Sequence, residues 1–349
     1  MSAETARRQA TDGPPAWQQA LAAAIRDPAE LLRALDLDPA LLAGAHHGAR
    51  LFPLRVPWGY VRRMRRGDPA DPLLRQVLPL DAEAADTPGF IEDPVGDAQS
   101  LVGGGVLHKY RGRALLIATG ACAIHCRYCF RRHFPYAEEN AAVHRWQGAL
   151  AYLRERPDIQ EVLLSGGDPL SLSDRRLQDL AAALDGIPHL RRLRVHSRLP
   201  VVLPERVDDA LLAWLAGGRL RPVLVLHANH PAELDAAVAD AVARLRGAGV
   251  ALYNQAVLLR GVNDQVDTLE ALGERLFELG VQPYYLHLLD RVRGAAHFEV
   301  PEREARALMR ALAERVPGYL LPRLVREDAG RPWKTPVDWT RDRNGDDAE

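Results

Sequence analysis

From about residue 113 onward, short apolar runs alternate with amphipathic helical segments, and this alternation constrains the fold more than any other feature. The runs have the length of strands, and the segments between them have the helical period. The expected strands are 114–118, 161–164, 193–196, 223–227, 251–258 and 283–288. The expected helices lie near 140–156, 173–184, 206–216, 231–247, 266–279 and 301–315. Six strand–helix pairs with short joins predict parallel strands with crossover helices, in a sheet buried on both faces.

This pattern predicts an α/β fold with a partial (β/α)6 TIM-like barrel, two units short of a full one. A flat doubly wound sheet is the alternative, since the sequence does not give the strand order. We expect a helical and irregular N-terminal extension over 1–110, the barrel over 111–318 and a short C-terminal segment over 319–349. In the extension, one helix is expected at 17–37, interrupted near Asp27-Pro28, and another at 39–49.

All three cysteines fall in one stretch after the first predicted strand, Cys122, Cys126 and Cys129. An odd number in so short a window does not make a disulfide framework, and clustered thiolates favour a soft metal. Three thiolates hold three irons of a [4Fe–4S] cluster and leave one iron open. A Cys3His zinc site that uses His125 or His133 is the alternative, although no second pair of ligands accompanies it.

Polar turns also follow the other predicted strands, among them Ser165-Gly-Gly-Asp-Pro169, Ser197-Arg198 and Asp290. The carboxyl ends of parallel strands converge on one face, where sites are built. The cysteine loop therefore shares a rim with these turns. We interpret Asp168 as a helix cap in a turn that offers backbone groups to a ligand beside the cluster.

The chain has 45 lysines and arginines together, but only Lys109 and Lys334 are lysines. Arginine serves electrostatic needs equally well, but its pKa is too high to give the free amine that forms a Schiff base. A lysine retained in such a chain is a candidate for amine chemistry.

The C-x3-C-x2-C spacing, with Tyr128 before the last cysteine, resembles the signature of the radical S-adenosylmethionine (SAM) superfamily. Further segments resemble the lysine 2,3-aminomutase family within it, from about residue 50 to 337. They include Phe52-Pro-Leu-Arg-Val-Pro57, Asp71-Pro-Leu-Leu-Arg-Gln-Val-Leu78, Ser165-Gly-Gly-Asp-Pro-Leu170, His227-Ala-Asn-His-Pro231 and Lys334-Thr-Pro336. The resemblance implies an isomerase that uses a [4Fe–4S] cluster, SAM and pyridoxal phosphate (PLP).

The resemblance also implies roles for individual residues. Cys122, Cys126 and Cys129 would bind the cluster, and Lys334 would bind PLP covalently. Arg113 would contact the PLP phosphate, Arg131 the substrate carboxylate and Asp290 the distal ammonium of lysine. The residues implied for the SAM pocket are Gly166, Gly167, Asp168, Ser197, Arg198 and Gln255.

Three positions depart from the family pattern. Gln265 stands where the free-lysine enzymes have a zinc-binding cysteine. Glu327 stands where the family has a second ammonium-binding aspartate, and Asp328 competes for that role by a shift of one residue. Lys109 has no assigned role; a phosphate contact and a second candidate for the PLP lysine are both open.

The implied reaction converts (S)-α-lysine to (R)-β-lysine. The short form resembles the branch that supplies β-lysine for modifying elongation factor P, which implies a functional link to a β-lysine ligase and a flavodoxin or ferredoxin as electron donor. The alternatives are a catabolic aminomutase acting on free lysine or another amino acid such as glutamate, a SAM enzyme without PLP, and a non-catalytic zinc-stabilised binding protein.

The whole chain carries a formal net charge of −1, which gives no electrostatic case for nucleic acid or an anionic membrane as partner. No apolar run approaches membrane-spanning length, and residues 1–15 lack a hydrophobic signal region. We therefore expect a cytoplasmic location, which suits an oxygen-sensitive cluster.

Overall fold

The computed structural model describes residues 14–136 and 146–340. Within these ranges, nine strands form one sheet whose spatial order is the chain order, β1 to β9. The strands are β1 (Val106–Tyr110), β2 (Arg113–Thr119), β3 (Glu161–Gly166), β4 (Arg192–Ser197), β5 (Arg221–Leu226), β6 (Ala251–Val257), β7 (Gln282–His287), β8 (Arg323–Arg326) and β9 (Thr335–Pro336). Strands β2 to β8 are parallel, and the edge strands β1 and β9 pair antiparallel with their neighbours.

The described α-helices comprise five short helices before the sheet and seven within or after it. The first five are α1 (Ala16–Ala22), α2 (Pro28–Ala34), α3 (Leu42–Leu51), α4 (Trp58–Val61) and α5 (Pro72–Arg75). The others are α6 (Gln147–Arg154), α7 (Asp174–Asp185), α8 (Leu199–Val202), α9 (Asp209–Ala216), α10 (Ala236–Gly247), α11 (Val266–Glu278) and α12 (Glu302–Ala313).

The predicted partial barrel is confirmed, and all six predicted strands are present. Each of β2 to β7 is followed by a crossover helix, which gives the six expected strand–helix units. The sequential strand order rules out the doubly wound alternative, in which the order reverses at a switch point. The seventh parallel strand, β8, was not predicted because it is four residues long and only its two central residues are buried.

The helices pack through the apolar stripes that predicted them. In α12 the buried residues are Ala305, Met309 and Leu312, which share one helix face by their spacing of four and three. Truncating a buried leucine such as Leu312 to alanine costs roughly 2–5 kcal/mol. The helix predicted from about residue 140 is seen as α6 from Gln147; residues 140–145 lie outside the described part.

The N-terminal segment is helical and irregular as predicted, and local capping explains its short helices. Asp27 accepts a hydrogen bond from the Ala29 amide at 3.0 Å, and Pro28 occupies the first helical position of α2. The main hydrophobic cluster extends from Trp17 to Val337, so this segment packs on the same core as the sheet. The division at residues 110 and 318 stays a prediction.

No helix within 14–136 or 146–340 is long and apolar enough to cross a membrane.

Candidate active site

A cavity of about 260 Å³ is lined by loops at the carboxyl ends of the parallel strands and by inward-facing strand residues. The three cysteines and the residues to which the resemblance gives a PLP, SAM or substrate role lie on its wall, whereas Asp328, the competitor of Glu327, does not. Those on the wall are Arg113, Cys122, Cys126, Cys129, Arg131, Gly166, Gly167, Asp168, Ser197, Arg198, Gln255, Asp290, Glu327 and Lys334. The fold therefore brings together residues that are up to 221 positions apart in the chain, from Arg113 to Lys334.

Residues of the N-terminal segment hold the backbone of the cysteine loop, residues 122–129, by hydrogen bonds. Arg55 donates a hydrogen bond to the Cys122 carbonyl at 2.9 Å, and the His125 amide donates to the Arg55 carbonyl at 2.9 Å. The Arg127 amide donates to the Gln76 carbonyl, also at 2.9 Å. These contacts fix the backbone of the loop, and its three cysteines line the cavity.

A buried charge network supports the same loop. Arg127 has no exposed surface, and its Nε donates to Glu83 Oε1 at 2.8 Å. Arg132 donates to the other oxygen of Glu83 at 2.7 Å. Removing Glu83 would leave two arginines without their shared carboxylate, which is far more costly than losing an exposed pair.

The three cysteines are free and line one cavity, which fits a cluster that uses three thiolates. Neither histidine of the zinc alternative lies on the cavity wall. His125 Nδ1 lies 2.8 Å from the Pro53 carbonyl and His133 Nε2 lies 3.2 Å from the Arg293 carbonyl. Within the described ranges, no three His, Cys, Asp or Glu side chains are arranged around a single metal ion.

The Gly166-Gly167 turn packs directly on the start of the cysteine loop. Gly166 has φ +113°, and a Cβ there would lie 2.7 Å from the Thr119 carbonyl. A Cβ on Gly167 would lie 2.5 Å from the Ala121 carbonyl. Only glycine allows both the conformation and the close approach.

Asp168 caps the short turn that follows, as predicted, and also ties β3 to β4. Its carboxylate accepts hydrogen bonds from the Leu170 amide at 3.0 Å, the Ser197 hydroxyl at 2.7 Å and the Arg198 amide at 2.8 Å. Burial raises the pKa of Asp168 to about 6, against the lowering effect of these hydrogen bonds.

The two lysines of the chain both lie in the cavity, on either side of Glu327. The Lys334 ammonium contacts Glu327 Oε2, and Lys109 Nζ lies 3.4 Å from Glu327 Oε1. The Tyr110 hydroxyl donates to the same Oε1 at 3.0 Å. Burial alone would raise the pKa of Glu327, but the charges of Lys334 and Lys109 and these hydrogen bonds lower it to about 2.

Asp328 does not share this environment. Its carboxylate accepts a hydrogen bond from the Thr335 hydroxyl at 2.6 Å and pairs with Arg326 at 3.1 Å. In the segment that follows β8, Glu327 therefore lies on the cavity wall and Asp328 does not.

Asp290 follows β7 and carries a carboxylate without a hydrogen-bond donor among the described residues. Burial and the negative charge of Glu327 raise the pKa of Asp290 to about 7, although Lys334 and Lys109 oppose the shift. Asp290 and Glu327 therefore sit in one cavity with pKa values pushed apart.

Arg131 is linked to Lys109 through Asp97, which pairs with both cations. Its Nε donates to Asp97 Oδ2 at 2.6 Å and its Nη1 donates to the Ser165 hydroxyl at 3.1 Å. Asp97 is almost fully buried and also pairs with Lys109 at 2.6 Å. Arg113 stacks on Tyr110, with its guanidinium carbon 4.4 Å from the ring centroid.

Sequence reasoning did not assign several cavity residues a role. The inward positions of the strands carry Arg194 and His196 on β4, His227 after β5, and Tyr285 and His287 on β7. Burial, together with nearby cations, lowers the pKa of His196, His227 and His287, so these imidazoles are neutral. The missed signal is polar residues at alternate positions of strands that are otherwise apolar.

Asp97 gave no such signal, because its partners are remote in sequence. Gln265, where the free-lysine enzymes have a cysteine, precedes α11 and is not on the cavity wall.

Comparison with protein families matches residues 116–272 to the Radical SAM superfamily. The L-lysine 2,3-aminomutase of Escherichia coli (strain K12) is 51% identical over 324 residues, which are 92% of this chain and 94% of that protein. The L-lysine 2,3-aminomutase of Haemophilus influenzae is 46% identical, with 91% of this chain and 94% of that protein covered. That of Clostridium subterminale is 37% identical, but the match covers 80% of this chain and only 67% of that protein.

Proposed function

Because the chain belongs to the lysine 2,3-aminomutase family of radical SAM isomerases, we propose that it converts (S)-α-lysine to (R)-β-lysine in a PLP-dependent reaction. The identity to these relatives confirms the resemblance that the motifs indicated. The family's cofactors are a [4Fe–4S] cluster, SAM and PLP. When bound, the cluster and SAM supply a radical that removes a hydrogen atom, and PLP carries the migrating nitrogen.

The observation that carries the proposal is the arrangement of charges in one cavity with the three thiols. An arginine for a carboxylate, Arg131, and two acids for an ammonium, Asp290 and Glu327, line the same wall as Lys334. These are the groups needed to bind both ends of a free diamino acid.

Arg131 is suited to a carboxylate because its guanidinium is already oriented. Arg131 Nε donates to Asp97 and Nη1 donates to Ser165, so Nη2 remains available to bind a ligand. Such a charge-assisted hydrogen bond is worth roughly 1.5–3 kcal/mol.

Asp290 and Glu327 would bind the distal ammonium. Glu327 is ionised at neutral pH and is paired to Lys334 while that amine is free. Asp290 lacks a donor among the described residues, so an incoming ammonium would supply one and restore its usual, lower pKa. Two clamps, one at each end of the substrate, would set which carbon faces the reacting group.

Lys334 is the better candidate for the PLP lysine of the two. Lys109 is held by Asp97 at 2.6 Å, by the Val95 carbonyl at 2.8 Å and by Glu327 at 3.4 Å. Lys334 contacts only Glu327 among the described residues, so its amine is freer to react. Arg113 lies in the same cavity and would take the phosphate.

The biological use of the product extends this proposal. The chain matches relatives of similar length along 94% of those relatives, as expected for the short form of the family. We propose that β-lysine made here is used by a ligase that modifies elongation factor P. A cytoplasmic location and electron supply from a flavodoxin or ferredoxin belong to the same proposal.

The test is an anaerobic assay of protein reconstituted with iron and sulfide, with PLP, SAM, dithionite and (S)-α-lysine. We expect β-lysine in the (R) form by chiral chromatography. A protein that carries cluster and PLP but yields no β-lysine would contradict the proposal. A Cys126→Ala variant is the control for product that does not depend on the cluster.

Glutamate is the main alternative substrate to test in parallel. Its side-chain carboxylate would face Asp290 and Glu327, and like charges in a buried site repel. We therefore expect turnover of lysine and none of glutamate.

A further inference from the structure

Arg198, at the end of β4, reaches one of the three cysteines directly. Its Nη1 lies 2.8 Å from Cys126 Sγ, within hydrogen-bond distance of a sulfur acceptor. The side chain is only 6% exposed, so this contact is shielded from water. The resemblance to the family placed Arg198 in the SAM pocket and did not indicate a contact with the thiol.

Three buried side chains fix the guanidinium in this orientation. Nη2 donates to Gln76 Oε1 at 2.6 Å, to Glu233 Oε2 at 2.8 Å and to the Tyr60 hydroxyl at 3.1 Å. Gln76, Glu233 and Tyr60 are fully buried. The Arg198 amide is also held, by Asp168 at 2.8 Å.

Glu233 is itself held as an ionised partner. It accepts hydrogen bonds from Gln76 Nε2 at 3.1 Å and from the Asn229 amide at 2.9 Å. Burial would raise the pKa of Glu233, but the charge of Arg198 and these hydrogen bonds lower it. The pair is thus neutral as a whole, with its cationic half next to the sulfur.

This network of buried hydrogen bonds around Arg198 is more extensive than close packing of the side chain would need. A buried ion pair contributes little net stability compared with apolar residues of similar size. What the network does achieve is to aim one N–H of a permanent cation at Cys126. Lysine could not do this, because a single ammonium lacks the fork that joins Gln76, Glu233 and the sulfur at once.

We infer that Arg198 sets the reduction potential of the cluster by donating a hydrogen bond to the Cys126 thiolate. One electron from the reductant adds one negative charge to the cluster, and a hydrogen bond and a cation at a ligand sulfur favour the more negative state. Arg198 would therefore make the potential less negative, with no proton transferred.

The test is an EPR-monitored redox titration of the reconstituted full chain without SAM, so that SAM binding does not contribute. For Arg198→Gln we expect the equilibrium constant for one-electron reduction to fall at least tenfold, a shift of about 59 mV to more negative potential. For Glu233→Gln we expect a shift of the opposite sign, because the cation next to the sulfur loses its counter-charge.

Arg206→Gln is the matched control. Arg206 is as deeply buried and pairs with Asp174 at 2.6 Å, but it is not on the cavity wall. Its variant should keep the wild-type potential.

The inference rests on the cluster of the proposed function, yet the two fail in different ways. Protein that takes up no iron and sulfide would contradict the proposed function. Loaded Arg198→Gln with the potential of Arg206→Gln would overturn the role of Arg198 alone. Should Arg198→Gln not load, an unchanged or more negative potential in Glu233→Gln would overturn it.

Discussion

The cavity wall carries two sets of charged groups, one beside Cys126 that we call the cluster end and one around Lys334 that we call the lysine end. The two sets are held differently. At the cluster end, Arg198 donates hydrogen bonds to three buried side chains. Its counter-ion Glu233 also accepts hydrogen bonds from the Asn229 amide and from Gln76. At the lysine end, Asp290 has no donor among the described residues, and Lys334 has Glu327 as its contact. Hydrogen bonds therefore fix the guanidinium at the cluster end, whereas the carboxylate of Asp290 at the lysine end has no donor among the described residues.

The pKa values follow the same division. Burial opposes the charge of Arg198, but neighbours that include Cys126 and Glu233 raise its pKa further, so the guanidinium stays protonated. Asp290, with a pKa near 7, changes charge in the physiological range. Variants at the cluster end should thus alter the potential, and variants at the lysine end should alter substrate binding and its pH dependence.

The largest effect is expected for Lys334→Arg, because arginine keeps the charge but cannot bind PLP covalently. We expect loss of the visible absorbance of bound PLP and a fall in activity of about 1,000-fold or more. Lys109→Arg is the control, since it retains a cation beside Asp97 and Glu327. If the absorbance persisted in Lys334→Arg and vanished in Lys109→Arg, the assignment would have to be reversed.

Next in size is the contrast between two neighbouring acids. Glu327→Gln removes a charge from the cavity wall and should lower kcat/KM for lysine by about 100-fold, the worth of a buried charge-assisted contact. Asp328→Asn, at a residue that is not on the cavity wall, should change kcat/KM less than about twofold. Steady-state kinetics of the two variants compares them directly. Equal losses of kcat/KM would contradict the assignment of Glu327, and not Asp328, to the cavity wall.

A smaller effect is expected from pH. The substrate ammonium needs ionised Asp290, whose pKa in the ligand-free protein is about 7. Protonation below that pH competes with binding, so KM for lysine should rise about tenfold between pH 8 and pH 6. In Asp290→Asn the KM for lysine should be higher at pH 8 and nearly independent of pH. If the variant kept the pH dependence of the wild-type KM, Asp290 would be excluded as the group that causes it.

The last of these effects concerns the stability of the ligand-free protein. The pKa of Asp290 is raised from 3.8 to about 7, so the folded state binds more protons than the unfolded state between these values. Its contribution to stability is therefore lost as the pH rises through this window. Asp290→Asn should be more stable than wild type at pH 8, by roughly 1–3 kcal/mol, and should match it near pH 4.

Glu327 should behave in the opposite way. Its pKa is lowered from 4.5 to about 2, so its stabilising effect is present above pH 4.5 and is lost as the pH falls towards 2. Thermal unfolding of Asp290→Asn and Glu327→Gln across pH 3–8 would show the two signs. The same sign for both would refute the contrast between the two carboxylates.

Much of this molecule was predictable from sequence because the signals are local. Apolar runs predicted six of the seven parallel strands in the described part of the chain, and the short β8 was missed because only two of its residues are buried. The cysteine spacing and the Lys-Thr-Pro context predicted Cys122, Cys126, Cys129 and Lys334 as site residues, and all four line one cavity. The side that each of Glu327 and Asp328 faces could not be read, since a one-residue shift reverses the faces of an extended segment.

The sequence by itself determined the alternating architecture, the three-thiol loop and the scarcity of lysine that singled out Lys109 and Lys334. Only the tertiary structure decided that both lysines flank Glu327, that Asp97 links Lys109 to Arg131, and that Arg198 contacts Cys126. The physical reason is that strand and loop signals depend on neighbours along the chain. Buried charge networks instead join residues far apart in sequence, and their partners are set by how the N-terminal segment packs on the sheet.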